Sequence, residues 1–375
     1  MQLRIHESLK PDLEAEVAKV VDAQIASRLG AKDDSIWGPA ARAEASKRLG
    51  WIDSPKTSVD LIPEILKLRD HFRDLGVDRI VLCGMGGSSL APEVIAKNTG
   101  HEIVILDSTS PDQVLSAVRD LERTAVVVSS KSGATVETDS QKRAFESGFL
   151  AAGIDPIERI VVVTDPGSPL DTASRADGYR VFNADPDVGG RYSALTAFGL
   201  VPAGLAGSDI ASLLASASMV SFRLGEDSTD NPAIWLGVAL AATPGIGQSR
   251  DKFLIETDGL PGFGDWVEQL VAESTGKQER GILPVVVTGS APEIQDVPRD
   301  TIFIRFSDSI PGIEHMTFSG SLGELFLLWE YATAIAGYLM NINPFDQPDV
   351  ESAKIAARAL LDSPGVEVAA GHVDR

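Results

Sequence analysis

The sequence predicts an α/β protein with two doubly wound parallel-sheet domains (αβα sandwiches), a helical N-terminal segment and C-terminal helices. Short apolar runs rich in Val and Ile alternate with helical segments from about residue 60 onward. The alternation restarts after residues 222–232, and a chain of 375 residues is long enough for two ordinary domains. We therefore predict a helical segment at 1–55, a first domain at 56–220 and a second, smaller domain at 221–375.

The first predicted sheet follows an amphipathic helix. Apolar residues from Leu13 to Ile25 recur at every fourth position within residues 11–28, which is helical spacing. Further helices are predicted at 61–72, before the first strand, and at 136–150, between the third and the fourth. The strands of this sheet are predicted at 79–82, 103–106, 125–129, 160–164 and 179–182. Each run is continuously apolar, as expected of strands that are buried on both faces of a parallel sheet.

The second predicted sheet has fewer elements. Strands are predicted at 253–256, 283–289 and 301–306, with a helix at 265–274 between the first two. Two helices, at 321–340 and 349–361, are predicted to close the chain.

Charge and residue usage narrow the class of protein. The formal net charge of −21 argues against nucleic acid and anionic membranes as partners, because both are bound mainly through clustered Lys and Arg. The single cysteine, Cys83, excludes an internal disulfide and a cysteine-cluster metal site. The N-terminus is too polar for a signal peptide, and no apolar run is long enough to span a membrane. We therefore expect a cytoplasmic enzyme or binding protein.

A glycine-rich loop, 84-GMGGSS-89, lies between the first predicted strand and a helix, which is a common place for a phosphate to bind. A dinucleotide site would also explain Asp107 at the end of the next strand, but Ser89 stands where the third glycine is expected. A nucleoside triphosphate loop is excluded because no Gly-Lys-Ser/Thr follows. A tight turn in which Ser88 or Ser89 caps the helix remains an alternative.

A second loop, 130-SKSGATVET-138, favours a small phosphate ester. Hydroxyl groups, loop N–H groups and the positive end of the following helix can converge there on one anion. Both loops follow strands of one sheet, and ligands of open α/β sheets bind at the carboxyl ends of the strands. The residues predicted to form or border the phosphate site are Gly87, Ser88, Ser130, Lys131, Ser132, Thr135 and Thr138.

These two loops resemble the phosphate-binding loops of sugar-isomerase (SIS-like) domains. Three further segments, at 188–200, 269–277 and 337–354, are similar to motifs of the glucose-6-phosphate isomerase family and stand in the same order. The N-terminal stretch 29-LGAKDDSIWG-38 resembles the isomerase part of bifunctional transaldolase–isomerase proteins. The resemblance implies two SIS-like domains and a homodimer. It further implies reversible isomerisation of D-glucose 6-phosphate and D-fructose 6-phosphate in glycolysis and gluconeogenesis, without a metal or cofactor.

The resemblance also implies a role for individual residues. Glu273 matches the glutamate that moves the proton, and Gln269, four residues earlier on the same helix face, matches a substrate contact. Arg191, after two glycines, is the candidate for stabilising the enediol(ate), because a guanidinium stays charged and offers several donors. Taken alone, Glu273 would be an ordinary solvated carboxylate and Arg191 part of a surface loop.

Residues for substrate binding and ring opening are predicted near the C-terminus. Gln347 matches a glutamine that contacts the sugar phosphate, and Lys354 matches a lysine that assists ring opening. The family's ring-opening histidine, often supplied by the partner subunit, has no equivalent directly after residue 277. His315 is the only histidine between the base and the terminal motif, so we assign it ring opening. If His315 does not act, Lys354 would have to act with water.

Two other functions fit the same residues. An isomerase that also accepts mannose 6-phosphate is possible, because epimers at C2 share one enediol. A non-catalytic regulator that binds sugar phosphate would keep the two loops, but it would have no reason to keep Glu273, Arg191 and Lys354 together.

Overall fold

The computed structural model describes residues 1–241, 250–306 and 315–348, with scattered positions between 350 and 359. The predicted helix over 349–361 is therefore described only at isolated positions. Lys354 lies outside the described residues.

The N-terminal segment was predicted to be helical, and the structure shows that it also contains a strand. It begins with a strand, β1 (Gln2–Ile5), which pairs antiparallel with a strand of the second sheet. The predicted first helix is divided into α1 (Lys10–Asp22) and α2 (Ile25–Gly30), because Gln24 takes the left-handed conformation with φ of 55°. Two short helices follow, α3 (Arg42–Ala45) and α4 (Ser54–Thr57).

The first sheet contains the five predicted strands, and all of them run parallel. In chain order the elements are α5 (Ile62–Asp74), β2 (Arg79–Gly84), α6 (Leu90–Asn98), β3 (Val104–Leu106), α7 (Pro111–Ala117), β4 (Thr124–Ser129), α8 (Val136–Ala151), β5 (Ile160–Thr164), α9 (Pro169–Ala176), β6 (Arg180–Asn183), α10 (Ala197–Ala206) and α11 (Ile210–Leu224). The strand order is β3-β2-β4-β5-β6. The chain adds β3 on one side of β2 and then β4, β5 and β6 on the other side, so the winding reverses between β2 and β4. The two predicted phosphate loops follow these two strands, so they flank the crevice where such sheets bind ligands.

The second sheet has the same winding in its parallel part. Its elements are α12 (Pro232–Ala241), β7 (Lys252–Glu256), α13 (Phe263–Thr275), β8 (Leu283–Val287), β9 (Thr301–Phe306), β10 (Met316–Ser319) and α14 (Leu322–Leu339). The strand order is β1-β10-β9-β7-β8, so β7 takes the place that β2 has in the first sheet. Strand β10 was not predicted, since it has only four residues and no long apolar run marks it.

One hydrophobic core connects the two sheets. It includes Val127 of the first sheet, Ile304 of the second and the helices between them. Helices α12 and α14 are buried on nearly all sides, as helices without a polar face must be. A second, smaller core packs α8 against the opposite face of the first sheet, around Phe145 and Phe149. The proposed domain limits at 55 and 220 remain a prediction.

No helix in the described part of the chain is long and apolar enough to cross a membrane.

A buried carboxyl group lies in α14. Glu330 is 1% exposed, and neither of its side-chain oxygens has a hydrogen-bond partner among the described residues. Burial raises the pKa of this carboxyl well above its usual range, which favours the protonated group in the folded protein. The unfolded chain ionises at lower pH than the folded one. Stability is therefore greatest below the unfolded pKa and is lost as pH rises towards the folded pKa.

We expect Glu330→Gln to remove this loss of stability. Wild type should lose up to ~1.4 kcal/mol of unfolding free energy per pH unit relative to the variant, because only its unfolded state releases the proton. Urea unfolding of both proteins at pH 5, 7 and 8 measures the difference. Glu268→Gln, on the exposed face of α13, is the control and should keep the wild-type pH dependence. Parallel pH curves for wild type and Glu330→Gln would show that Glu330 is ionised in the folded protein.

Candidate active site

The glycine loop forms a short turn at the carboxyl end of β2. Gly86 has φ of 56°, a conformation that favours glycine, and the turn places Ser88 in a buried position. The Ser89 hydroxyl donates to the Gly86 carbonyl at 3.0 Å, so it closes the turn. Neither serine forms a side-chain cap on α6, so the capping alternative has no support here.

The glycines let this loop contact two other predicted motifs. A Cβ atom on Gly87 would lie 2.6 Å from the carbonyl carbon and oxygen of Gly190, next to Arg191. A Cβ atom on Gly86 would lie 2.8 Å from Nε2 of Gln269. A side chain at position 87 would collide with the Gly190 backbone, and one at position 86 would displace the Gln269 amide. The glycine loop, the Gly-Gly-Arg turn and helix α13 therefore meet at one place.

The hydroxyl loop after β4 lines a cavity of about 260 Å³ at the N-terminus of α8. The hydroxyl groups of Ser130 and Thr135 lie 3.0 Å apart. The Thr138 hydroxyl is buried and has no partner in the part of the chain that the structure describes. A helix N-terminus together with free hydroxyl donors can bind an anion. Ser132 is exposed and its hydroxyl accepts a bond from the Ala134 N–H at 3.3 Å.

Lys131 borders this loop but is already paired. Its ammonium donates to Asp165 Oδ2 at 2.6 Å and lies 3.4 Å from the Pro186 carbonyl oxygen. Burial lowers the pKa of Lys131 and raises that of Asp165, although each partner counters the shift. The charge of Lys131 is therefore largely balanced by Asp165.

Arg191 uses nearly all of its donors within the protein. Its side chain is 3% exposed. The Nε–H donates to Ser274 Oγ at 2.8 Å, and Nη2 donates to the carbonyls of Pro344 at 2.7 Å and Asp346 at 3.1 Å. Nη1 donates to Gln347 Oε1 at 3.2 Å. A guanidinium has five N–H donors, so one hydrogen on Nη1 remains.

Glu273 faces this remaining donor. Its Oε2 lies 3.7 Å from Nη1 of Arg191, which is an ion pair without a hydrogen bond, and 30% of its side chain is exposed. Gln269 lies one turn earlier on α13, and its Oε1 is buried without a partner in the described ranges. A carboxylate, a guanidinium N–H and a free amide oxygen thus share one face of the cleft. This arrangement suits proton transfer on a polar substrate.

Two residues of this cluster were not predicted from the sequence. Ser274 is fully buried, and besides Arg191 it contacts the Tyr192 hydroxyl at 3.3 Å. Lys277 is 5% exposed and donates to Asp346 Oδ1 at 2.6 Å. Both belong to the segment 269–277, in which only Gln269 and Glu273 were predicted to act. Nothing in that motif shows which of its polar residues face the core.

None of the hydrogen bonds that His315 makes with described residues joins it to this cluster. Its Nδ1 accepts a hydrogen bond from the Phe303 N–H at 3.0 Å, and its carbonyl accepts one from the His6 N–H at 2.9 Å. Burial, and then Arg250 and His6, lower the pKa of His315, which favours the neutral ring. Its role in ring opening remains a prediction, as does that of Lys354, which lies outside the described residues.

The titratable groups elsewhere in the described part of the chain do not form a metal site. Among the described residues, no group of three or more His, Cys, Asp or Glu side chains could hold a metal ion. Cys83 is buried in β2, and burial raises the pKa of its thiol, so it is not a reactive cysteine.

Comparison with known proteins identifies relatives of the whole chain. A glucose-6-phosphate isomerase from Caldanaerobacter subterraneus subsp. tengcongensis is 27% identical over 89% of this chain and 91% of its own length. The fold is similar to that of a hypothetical protein from Thermus thermophilus, with a TM-score of 0.80, 24% identity and coverage of 96% of this chain and 100% of that one. It is also similar to a glucose-6-phosphate isomerase from Chlamydia trachomatis, with a TM-score of 0.69, 21% identity and coverage of 87% and 75%.

The two structures confirm the predicted α/β fold class. The family model of phosphoglucose isomerase matches residues 73–287, a range that contains the glycine loop, the hydroxyl loop, Arg191 and Glu273. The chain belongs to the phosphoglucose isomerase family.

Proposed function

We propose that this protein interconverts D-glucose 6-phosphate and D-fructose 6-phosphate through an enediol(ate) intermediate. One observation carries the proposal: Glu273 and the remaining Nη1 donor of Arg191 face each other at 3.7 Å beside the glycine loop. Membership of the phosphoglucose isomerase family and the relatives named glucose-6-phosphate isomerase support it. The regulator that only binds sugar phosphate is disfavoured, because binding alone does not need the carboxylate–guanidinium pair.

The phosphate would bind at the hydroxyl loop. Ser130, Thr135 and Thr138 offer hydroxyl donors around the cavity, and the first turn of α8 offers free N–H groups. Ser88 and Gly87 would border the sugar from the glycine loop. Binding energy from the phosphate, which does not react, would hold the sugar carbons in place for proton transfer.

Glu273 would transfer the proton between C2 and C1. Starting from the open-chain aldose, its carboxylate takes the proton from C2, the C–H electrons form the C1–C2 double bond and O1 becomes the enediolate oxygen. A proton then passes from the O2 hydroxyl to O1, directly or through solvent. The same carboxyl returns the C2 proton to C1, and O2 becomes the carbonyl oxygen of the ketose. The remaining Arg191 donor would stabilise the anionic intermediate, because an N–H fixed in a buried site interacts more strongly with developing charge than water does.

Ring opening would precede this step. We assign it to Lys354 and His315, or to Lys354 with water, as the resemblance implies. A homodimer fits this assignment because the second subunit could supply a histidine. We further propose a cytoplasmic location and a kinship with the isomerase part of bifunctional transaldolase–isomerase proteins, which the resemblance of residues 29–38 supports.

A coupled assay tests the function directly. Purified protein is incubated with fructose 6-phosphate, and the glucose 6-phosphate formed is measured with an NADP-dependent dehydrogenase. Turnover is expected, and its absence would refute the isomerase. Mannose 6-phosphate, offered as the starting substrate in a parallel reaction, gives fructose 6-phosphate only if the enzyme accepts both epimers. Light scattering of the same sample measures whether the active species is a dimer.

A further inference from the structure

The segment from Met340 to Gln347, here called the terminal segment, connects α14 to the predicted substrate residue Gln347. It contains no strand or helix, so its carbonyl groups need partners from elsewhere. Cationic side chains supply them. The Met340 carbonyl accepts from Arg280 at 2.9 Å, the Asn343 carbonyl accepts from Lys277 at 2.6 Å, and Arg191 donates to the Pro344 carbonyl.

Lys277 makes the densest of these contacts. Besides Asn343, its ammonium donates to the Asp346 carbonyl at 2.8 Å and to Asp346 Oδ1 at 2.6 Å. An ammonium has three donors, and all three point to the terminal segment. The side chain is 3% exposed. Lys277 therefore has no donor left for a substrate, and its effect on the reaction must pass through the segment that it holds.

The backbone around Lys277 is shaped for this contact. Gln278 and Glu279 both take the left-handed conformation, with φ of 56° and 57°, although neither is a glycine. The flanking N–H groups of Lys277 and Arg280 each donate to the carbonyl of the other at 3.1 Å. This two-residue turn aims Lys277 and Arg280 at the same segment. Such backbone strain persists only where surrounding contacts hold it.

The contacts of Lys277 with the terminal segment, here called the clamp, also affect the position of Arg191. The Asp346 carbonyl accepts from both Lys277 and Arg191, and the next residue, Gln347, accepts from Nη1 of Arg191. A shift of the terminal segment would therefore have two effects at once. It would leave Arg191 donors without acceptors, and it would move the Gln347 amide. We propose that Lys277 is a positioning residue that holds the terminal segment so that Gln347 meets the substrate. This inference rests on the proposed isomerase function, and it adds the cation that sets the substrate-binding geometry.

The test is the kinetics of Lys277→Met, which keeps the length of the side chain and removes its donors. We expect KM for fructose 6-phosphate to rise about 10- to 100-fold, the factor that corresponds to losing hydrogen bonds to a charged group. The kcat of the folded enzyme should change less than about threefold, because Glu273 remains in place. A residue that only stabilised the fold would lower the amount of active enzyme and leave KM unchanged. An unchanged KM therefore overturns the proposal.

Three further measurements keep the test decisive. Asp346→Ala removes one acceptor from a partly exposed residue and should raise KM by about 3- to 10-fold. Asp346→Ala replaces Lys277→Met as the test if Lys277→Met fails to fold. An unchanged KM in Asp346→Ala also contradicts the clamp. Amide exchange of residues 341–348 should be about 10- to 100-fold faster in Lys277→Met than in wild type. Lys252→Met, which removes a surface ion pair with Asp251 and Asp300, is the matched control and should change neither quantity.

The exchange measurement separates the two proposals. If wild type shows no turnover, the isomerase function fails. Faster exchange of the terminal segment in Lys277→Met would then still support the clamp, whereas unchanged exchange would overturn it.

Discussion

Replacing Glu273 by Gln should lower kcat by about 10²- to 10⁴-fold, the range that a positioned general base contributes. The amide is nearly the same size as the carboxyl group but cannot take the proton from C2. Because Glu273 is partly exposed and makes no hydrogen bond to Arg191, the fold should tolerate the change. KM should change little, since the phosphate contacts lie on the first sheet. The measurement is the steady-state rate of conversion of fructose 6-phosphate.

Glu268→Gln is the control for this variant. It lies on the same helix and is exposed, and it should retain wild-type kcat. Exchange of solvent deuterium into C2 of glucose 6-phosphate reports proton transfer independently of the overall rate, so it should fall in parallel with kcat in Glu273→Gln. If both rates stay within threefold of wild type, another group is the base.

Replacing Arg191 by Lys should impair both catalysis and stability. An ammonium has three donors and cannot reproduce a planar fork that binds Ser274, two backbone carbonyls and Gln347. Buried carbonyls left without partners should lower the free energy of unfolding by ~3 kcal/mol. Loss of the remaining Nη1 donor should lower kcat by about 10²- to 10³-fold. Urea unfolding and kcat, measured at a temperature where the variant is folded, separate the two effects.

Arg123→Lys is the matched control for Arg191→Lys. Arg123 pairs with Asp78 at the surface through two donors, and both side chains are mostly exposed, so this change should alter stability little and leave kcat unaltered. If Arg191→Lys loses stability but keeps its kcat, Arg191 is a structural clamp alone and the enediolate is stabilised elsewhere.

The strands of the first sheet were predictable because each is a continuous apolar run. Periodicity is a local property, so β2, β4 and β5 could be identified from their own residues. Strand β1 could not be predicted in this way. It has four residues, and its partner β10 lies more than 300 positions away, so only folding brings the two strands together.

Within the candidate site, the two loops were predictable and the state of their charges was not. Hydroxyl groups and glycines after β2 and β4 indicate a phosphate from the sequence alone. The pairing of Lys131 with Asp165 depends on the packing of neighbouring loops, and it balances the charge that the sequence offers to a phosphate. The burial of Glu330 is likewise decided by the helices around α14.

The sequence by itself determined the α/β alternation, the positions of the glycine and hydroxyl loops, and the family, because these depend on neighbouring residues and on motifs of fixed spacing. Only the tertiary structure decided how the charged groups are used. Arg191 and Gln347 are 156 positions apart, yet Nη1 of Arg191 lies 3.2 Å from Oε1 of Gln347. Lys277 uses all three of its donors to bind residues 66 to 69 positions away. Hydrogen-bond partners of this kind depend on how distant segments pack, and no local pattern encodes them.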